Sequence, residues 1–393
     1  MIVPQGTGAG NVVRKLSELQ IDVDKDWSNK NITNFGTSGV NLHSIVTSHA
    51  SRHADGGADA ILSPLSWSAV NSPREATIVV AASNSRDTTR ADYVCDGIDD
   101  QVEINAAINQ VGWAKGRVVL LEGDYYVTGS INLVSFVSIH GQGQRSTRIH
   151  VPNNFNSDIN VFYCGSFALN TPSVSNLTVD GNKANQSSGT MRGFYIREPN
   201  DVTIQGLKID RCYIHGFRNE GVYVNRGDKF CFSMNYIENG IYTTNLTNSL
   251  FIGNEITNTS GGSAIYLTSS SDSNTLISNY IHDADQYGIF MHASKGNIIS
   301  YNIIKNNSRS SDNMYDGVFL SSDSDESIYT IIAGNIISSP SDPPRHRYNI
   351  YFGEYTYIVL FDGNIAVPAG ASGSVYFHPE LSYVRSTYNF ESE

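Results

Sequence analysis

Residues Gly221–Ile256 read GVYVNRGDKFCFSMNYIENGIYTTNLTNSLFIGNEI, and two kinds of short apolar strand alternate within them. One kind opens on a small residue, in Gly221-Val-Tyr-Val224 and Gly240-Ile-Tyr-Thr243; the other opens on asparagine, in Asn235-Tyr-Ile237 and Asn254-Glu-Ile256. The first series starts upstream at Gly193-Phe-Tyr-Ile196 and continues through Ala264-Ile-Tyr-Leu267, Gly288-Ile-Phe-Met291, Gly317-Val-Phe-Leu320 and Asn349-Ile-Tyr-Phe352 to Ser374-Val-Tyr-Phe377. Its successive starts differ by 28, 19, 24, 24, 29, 32 and 25 residues. The second series continues through Asn279-Tyr-Ile281, Asn302-Ile-Ile304 and Asn335-Ile-Ile337 to Asn364-Ile-Ala366, and Cys212-Tyr-Ile214 holds the same place one repeat earlier. Strands this short, with no 3.6-residue periodicity between them, fit a coil that turns once per repeat and stacks each strand on its counterpart. The asparagines are expected at tight turns, where they tolerate left-handed backbone and bond the asparagine above and below. The glycines are expected to supply the same freedom. Variation in repeat length must then reside in loops that leave the coil at a fixed corner.

Composition agrees with an ordered coil and narrows the function. Charged residues are only 16 % of 393, whereas 40 % are hydrophobic, and Gly (34), Tyr (22) and Phe (16) are plentiful. That apolar content is enough to offset the ordering entropy of a folded chain. A net charge of −12 disfavours nucleic acid and anionic membranes as partners. Apolar runs such as Ile328–Ala333 are far shorter than a membrane span, and the opening MIVPQGTGAGN shows no basic region ahead of an apolar stretch. Cys95, Cys164, Cys212 and Cys231 have no metal-ligand spacing and are expected as buried thiols. No cofactor or metal is expected: Gly141-Gln-Gly-Gln144 lacks the helix a dinucleotide site needs.

The repeat resembles the right-handed parallel β-helix of the pectate-lyase-like superfamily, an all-β solenoid. Residues Ala91–Ile108 and Gly116–Val127 resemble the opening of that superfamily's domains, where a short helix plugs the end of the coil. The residues agree. Asp100 and Glu103 can form a capping box, and Val102, Ala106, Ala107 and Val111 an apolar stripe. A solenoid needs such a cap to cover its core and its unpaired strand edge.

Residues 1–76 lack the repeat and read as an irregular N-terminal attachment and linker segment; residues 77–393 read as the β-helix domain. His49, His53, Asp55 and Asp59 could be read as a metal set in a Gly-rich stretch. The segment Ser48–Ile61 resembles instead the His-x-x-Arg-His-x-x-Gly-Gly-x-Asp pattern in the N-terminal regions of phage and archaeal-virus tailspikes and tail fibres. There the region attaches a receptor-binding or polysaccharide-degrading body.

Loops leading into the small-residue strands carry Arg218-Asn-Glu220, Asp283-Ala-Asp-Gln-Tyr287, Asp312-Asn-Met-Tyr-Asp316 and Arg345-His-Arg-Tyr348. Stacking at ~4.8 Å per coil would line these up along one edge. Glu220, Asp283, Asp285 and Asp316 are the candidate catalytic acids, since acid–base work on a glycan needs converging carboxylates. Convergence of Asp283, Asp285 and Asp316 would raise at least one pKa. Tyr287, His292, Tyr315, Arg347 and Tyr348 are the candidate substrate-binding residues. Tyr287-Gly-Ile-Phe-Met-His292 resembles the Tyr-Gly-Phe-Asp-Pro-His strand of alginate epimerases, but Phe290 replaces its acid. Only fragments of polygalacturonase elements occur, at Asp180-Gly-Asn182 and His215-Gly216, and Asp180, Asp210 and His215 read as turn or core-edge residues.

The resemblances imply a virion tailspike or tail-fibre protein, extracellular on the virion. They imply a homotrimer, attached to other virion proteins through its N-terminus, whose partner is a host-surface polysaccharide. Depolymerisation by hydrolysis or elimination is a further step that the residues leave open. Two alternatives stand beside it: a non-catalytic structural adhesin or receptor-binding fibre, and a free glycan-active lyase or hydrolase.

Overall fold

The computed structural model describes residues 77–393 apart from 113–114, 165–168, 198–203, 324–328, 341–343, 357, 368–369, 380–382, 388–389 and 392–393. Pro73–Glu393 forms one compact unit. The attachment motif and the His/Asp set at 49–59 lie outside the described residues.

A short strand with alternate apolar residues buries its inner face only when its counterparts stack on it. Here they stack in three parallel sheets. Sheet 1 has 13 strands and ends at Tyr383–Thr387; sheet 2 has 11, from Gly123–Tyr126 to Phe390–Glu391; sheet 3 has 11, from Ile131–Asn132 to Gly373–Phe377. The chain visits sheets 1, 2 and 3 in turn, as in Cys231–Ser233, Tyr236–Ile237 and Ile241–Thr247. Val222, Val224, Phe232 and Ile237 point into the continuous core and are fully buried. The small-residue series forms sheet 3 in the expected register, with Val222, Ile241, Ile265, Ile289, Val318, Ile350 and Val375 aligned.

The asparagine series forms the corner between sheets 1 and 2. The backbone N–H and Nδ2 of Asn254 both donate to Oδ1 of Asn279, at 3.0 and 2.9 Å. Nδ2 of Asn279 donates in turn to the Phe251 carbonyl and to Oδ1 of Asn302, both at 2.9 Å. The same bonds link Asn235 to Asn254, Asn302 to Asn335 and Asn335 to Asn364. Cys212 closes the row, donating its N–H to Asn235 Oδ1 at 2.9 Å. The left-handed residue, however, is the one before each asparagine: Met234, Gly253, Ser278, Tyr301, Gly334 and Gly363, with φ between 54° and 66°. The asparagine itself is buried, and its amide meets its counterparts there.

Of the glycines that open the sheet 3 strands, Gly240 is left-handed as expected, with φ 71°, whereas Gly193, Gly221, Gly288 and Gly317 are not. A Cβ at Gly288 or Gly317 would meet the next coil's carbonyl oxygen at 2.6 Å. Close approach of backbones, rather than left-handed freedom, selects glycine there.

Helix α1, Gln101–Gly112, covers the first coils with Ile104, Ala107, Ile108 and Val111 buried. Val102 is 59 % exposed, so the apolar stripe runs along Ile104 and Ile108 instead of Val102 and Ala106. Asp100 accepts the N–H groups of Gly97 and Tyr126, at 2.8 and 2.7 Å, which ties the helix to the first coil. Cys95, Cys164 and Cys212 are buried thiols, and Cys231 is partly exposed.

Length varies where the coil allows it. The corner between sheets 1 and 2 takes the same number of residues in aligned coils, from Cys231 to Tyr236 and from Ile331 to Ile336. The corner between sheets 2 and 3 stretches from the short step Tyr236–Ile241 to the long one Ile303–Val318.

Replacing Asn279 with alanine leaves the buried Asn254 N–H without its acceptor, takes one of two bonds from Asn254 Nδ2, which keeps the Phe232 carbonyl, and removes the bonds to the Phe251 carbonyl and Asn302 Oδ1. Chemical denaturation of Asn279→Ala is expected to show a loss of roughly 2–4 kcal/mol, from the buried bonds lost.

Candidate functional site

Where sheets 2 and 3 meet, the long corner loops overhang the outer face of sheet 3. That face carries a column of rings, each one residue after an aligned core residue of sheet 3: Tyr163, Tyr195, Tyr223, Tyr242, Tyr266, Phe290, Phe319, Tyr351 and Tyr376. Parallel register places each ring over the next. Tyr242 and Tyr266 lie 4.5 Å apart at 11°, and Phe290 and Phe319 5.1 Å apart at 5°. Their faces are therefore used on one another, and the tyrosines present ring edges and hydroxyls to solvent. Tyr287 and Tyr348 are tilted against the column, by 49° to Phe290 and 44° to Tyr351, and the Arg347 guanidinium lies over the Tyr348 ring at 5.6 Å. Tyr315 meets Tyr287 edge-on at 5.0 Å.

Register fixes where the sequence candidates stand. Glu220, Asn239, Ser263, Tyr287, Asp316 and Tyr348 occupy successive equivalent positions, each two residues before an aligned core residue of sheet 3. Glu220 and Asp316 are thus four coils, or ~19 Å, apart. At the near end Glu220 pairs with Arg192 at 2.5 Å, and the Arg192 guanidinium lies over Tyr195 and Tyr223. At the far end Asp316 is fully buried beneath Arg347, which grips it through two bonds of 3.0 and 2.7 Å. Burial raises the Asp316 carboxyl, with Arg347 pulling against it. The same guanidinium lies over Tyr351 at 4.5 Å. Burial, then Asp316, push the Tyr287 phenol up to about 12.

The structure brings Tyr287, Tyr315, Asp316, Arg347 and Tyr348 together but places the other candidates elsewhere. Asp285 accepts the Gly261 N–H at 2.8 Å. Asp283 bonds His282 on the outer face of sheet 2, at 2.6 Å. His292 lies beyond Phe290 on the sheet 3 face and pairs with Asp323 at 3.2 Å. Among the described residues the one trio of possible ligand groups gathered within 4.8 Å is Cys95, Asp100 and Glu103, so Asp283, Asp285 and Asp316 form no such trio. Burial pushes the Cys95 thiol up, away from the thiolate a metal requires.

Between the two charged ends lies a cleft of about 320 Å³, lined by Arg218, Glu220, Asn239, Tyr242, Ser263, Tyr266 and Gln286 among others. It sits at the small end of the range for ligand sites.

Sheet 2 gathers Asp180 and His215, expected as turn or core-edge residues, and the candidate acid Asp283 with histidines and carboxylates of neighbouring strands. His150 lies between Asp124, at 3.0 Å, and Asp180, at 3.2 Å, and His215 approaches Asp180 at 3.7 Å. Burial works against the Asp180 carboxylate, but His150, the Asn182 N–H and His215 outweigh it and hold it below the usual range. Farther along, His282 bridges Asp283 and Glu255 and stacks on Tyr280 at 4.1 Å. Such a histidine can pass a proton between carboxylates. The signal was present as Arg148-Ile-His150, Thr178-Val-Asp180, Tyr213-Ile-His215 and Tyr280-Ile-His282, which align only once sheet 2 is in register.

Residues 205–363 match the family model described as the right handed beta helix region. The coil is a right-handed parallel β-helix. No curated protein matches the sequence. Among solved structures, the A-module of an Azotobacter vinelandii mannuronan C-5 epimerase is 17 % identical with a TM-score of 0.47; the match covers 76 % of this chain and 97 % of that one. The Dettilon tailspike protein is 12 % identical with a TM-score of 0.46, over 85 % of this chain and 72 % of its own. PfbA, a surface adhesin of Streptococcus pneumoniae, is 14 % identical with a TM-score of 0.47, over 68 % and 81 %. These are similarities of β-helix to β-helix.

The Arg347–Tyr348 arm depends on a neutral histidine. His346 is completely buried, accepts the Asn307 N–H on Nε2 at 2.9 Å and bonds Asn349 through Nδ1 at 3.1 Å. Burial lowers its pKa from 6.5 to about 4. Its contribution is fully present above pH 6.5 and is lost as the pH falls toward 4, because the unfolded chain takes up the proton first. Denaturation between pH 7 and pH 4 is expected to show a loss of about 3 kcal/mol attributable to this residue, absent from His346→Gln.

Proposed function

We propose that this chain is a virion tailspike or tail-fibre protein that binds a host-surface polysaccharide along the margin between sheets 2 and 3. The carrying observation is the shape of that margin. Equivalent positions from Glu220 to Tyr348 span five coils, ~24 Å, beside a continuous column of rings and two arginine–carboxylate pairs. A linear site with repeating ring edges, hydroxyls and tilted rings suits a linear polymer better than a compact metabolite. The N-terminal His49–Asp59 motif supports attachment to other virion proteins, and hence an extracellular place on the virion. The homotrimer rests on family resemblance alone.

Binding without turnover is the second reading, and the engagement of three acids favours it: Glu220 with Arg192, Asp285 with Gly261, Asp316 with Arg347. Depolymerisation, by hydrolysis or elimination, would place proton transfer on Asp283, which keeps His282 as an acid–base partner.

Purified protein incubated with capsular, pectic and alginate polysaccharides is expected to be retained by the host's own glycan. Tyr348→Ala, which removes a tilted ring, should weaken retention about tenfold. Release of oligosaccharides that Asp283→Asn abolishes selects depolymerisation, and retention with no release selects binding. Failure to bind any surface polysaccharide overturns the proposal, and sedimentation as a monomer overturns the trimer.

A further inference from the structure

The floor of the cleft holds two polar atoms whose bonding is incomplete. Asn239 Oδ1 and Ser263 Oγ have no hydrogen-bond partner, although their residues are 1 % and 6 % exposed. A few unmet polar atoms occur in any protein, but these two line the same cleft and stand at equivalent positions of neighbouring coils, ~4.8 Å apart. The amide of Asn239 cannot be turned to satisfy itself, because its Nδ2 donates to the Phe217 carbonyl at 2.9 Å. A flipped amide would set oxygen against oxygen there. Oδ1 is therefore an acceptor that lacks a donor.

The cover over this floor is slight. Nδ2 of Asn239 also touches the Ser260 hydroxyl, and Lys183 reaches that hydroxyl from the side at 3.1 Å. The neighbouring Gly261 is held by the Asp285 carboxylate and has open space where a Cβ would stand. Displacing Ser260 costs Asn239 none of its bond to Phe217.

We propose that this floor is a subsite for a neutral sugar unit, which gives a hydroxyl or an N-acetyl N–H to Asn239 Oδ1 and shares a second hydroxyl with Ser263 Oγ. The assignment rests on the glycan-binding reading and narrows it. The carboxylate of a uronate, a sulfate or a phosphate, seated on this floor, offers oxygens that only accept, and these would face the Asn239 oxygen with no proton between them. A buried acceptor left unpaired rejects such a ligand, whereas a neutral hydroxyl completes the site.

The test is an array of defined tetrasaccharides, comprising N-acetylated chito-oligomers, neutral gluco- and galacto-oligomers, and galacturonate and mannuronate oligomers, applied to the full chain and to Ser263→Ala. Binding confined to the neutral or N-acetylated members, and weakened about tenfold in Ser263→Ala, is the expected result. Because the deleted hydroxyl has no partner in the free protein, the unfolding midpoint of Ser263→Ala should stay level or rise. Uronates bound in preference, affinity unchanged in Ser263→Ala, or a lowered midpoint would each overturn the subsite while leaving glycan binding intact. No binding anywhere on the array would remove both.

Discussion

Parallel stacking at ~4.8 Å makes every side chain the neighbour of its own counterpart in the next coil, and the rest of the molecule follows from this. A residue type survives in a column only if copies of it attract one another or alternate with something complementary. Asparagine succeeds because its amide donates on one side and accepts on the other. Aromatic rings succeed by stacking. Charges succeed only as mixed columns, as in Arg192 beside Glu220, Arg148 beside Asp124, and His150 between Asp124 and Asp180. A chain with 16 % charged residues is what remains when columns of one sign are excluded.

Much of this was readable beforehand because the repeat itself carries the register. The strand starts from Gly193 to Ser374, and the asparagines from Asn235 to Asn364, align in space as they do in sequence. What escaped were properties of backbone geometry rather than of residue type. Nothing in Ser278-Asn279 or Tyr301-Asn302 tells that the first residue, not the asparagine, takes the left-handed turn. Nor does the presence of Gly288 tell whether φ or the neighbouring carbonyl demands it.

The candidate site was legible as a corner but not as a set of contacts. Acids that look alike on paper separate along the axis: Glu220 belongs to one end, Asp316 to the other, and Asp283 turns onto sheet 2. Intervening loops of unequal length hide such differences, since residue spacing measures contour and chemistry measures distance. The histidine–carboxylate groups of sheet 2 were legible only as separate turn or core-edge residues, for the converse reason. Asp180 and His215 are 35 residues apart in sequence yet occupy adjacent strands.

The invariant corner between sheets 1 and 2 and the elastic one between sheets 2 and 3 give the two sides of the solenoid different freedoms. An inserted residue at the asparagine corner would throw one amide out of line and interrupt all the bonds that pass through it. The same insertion at the opposite corner only lengthens a loop, at a loop-closure cost that grows slowly with length. One side of the molecule therefore works as a spine and the other as a margin open to variation. The margin can be rewritten, coil by coil, without disturbing what holds the coils together.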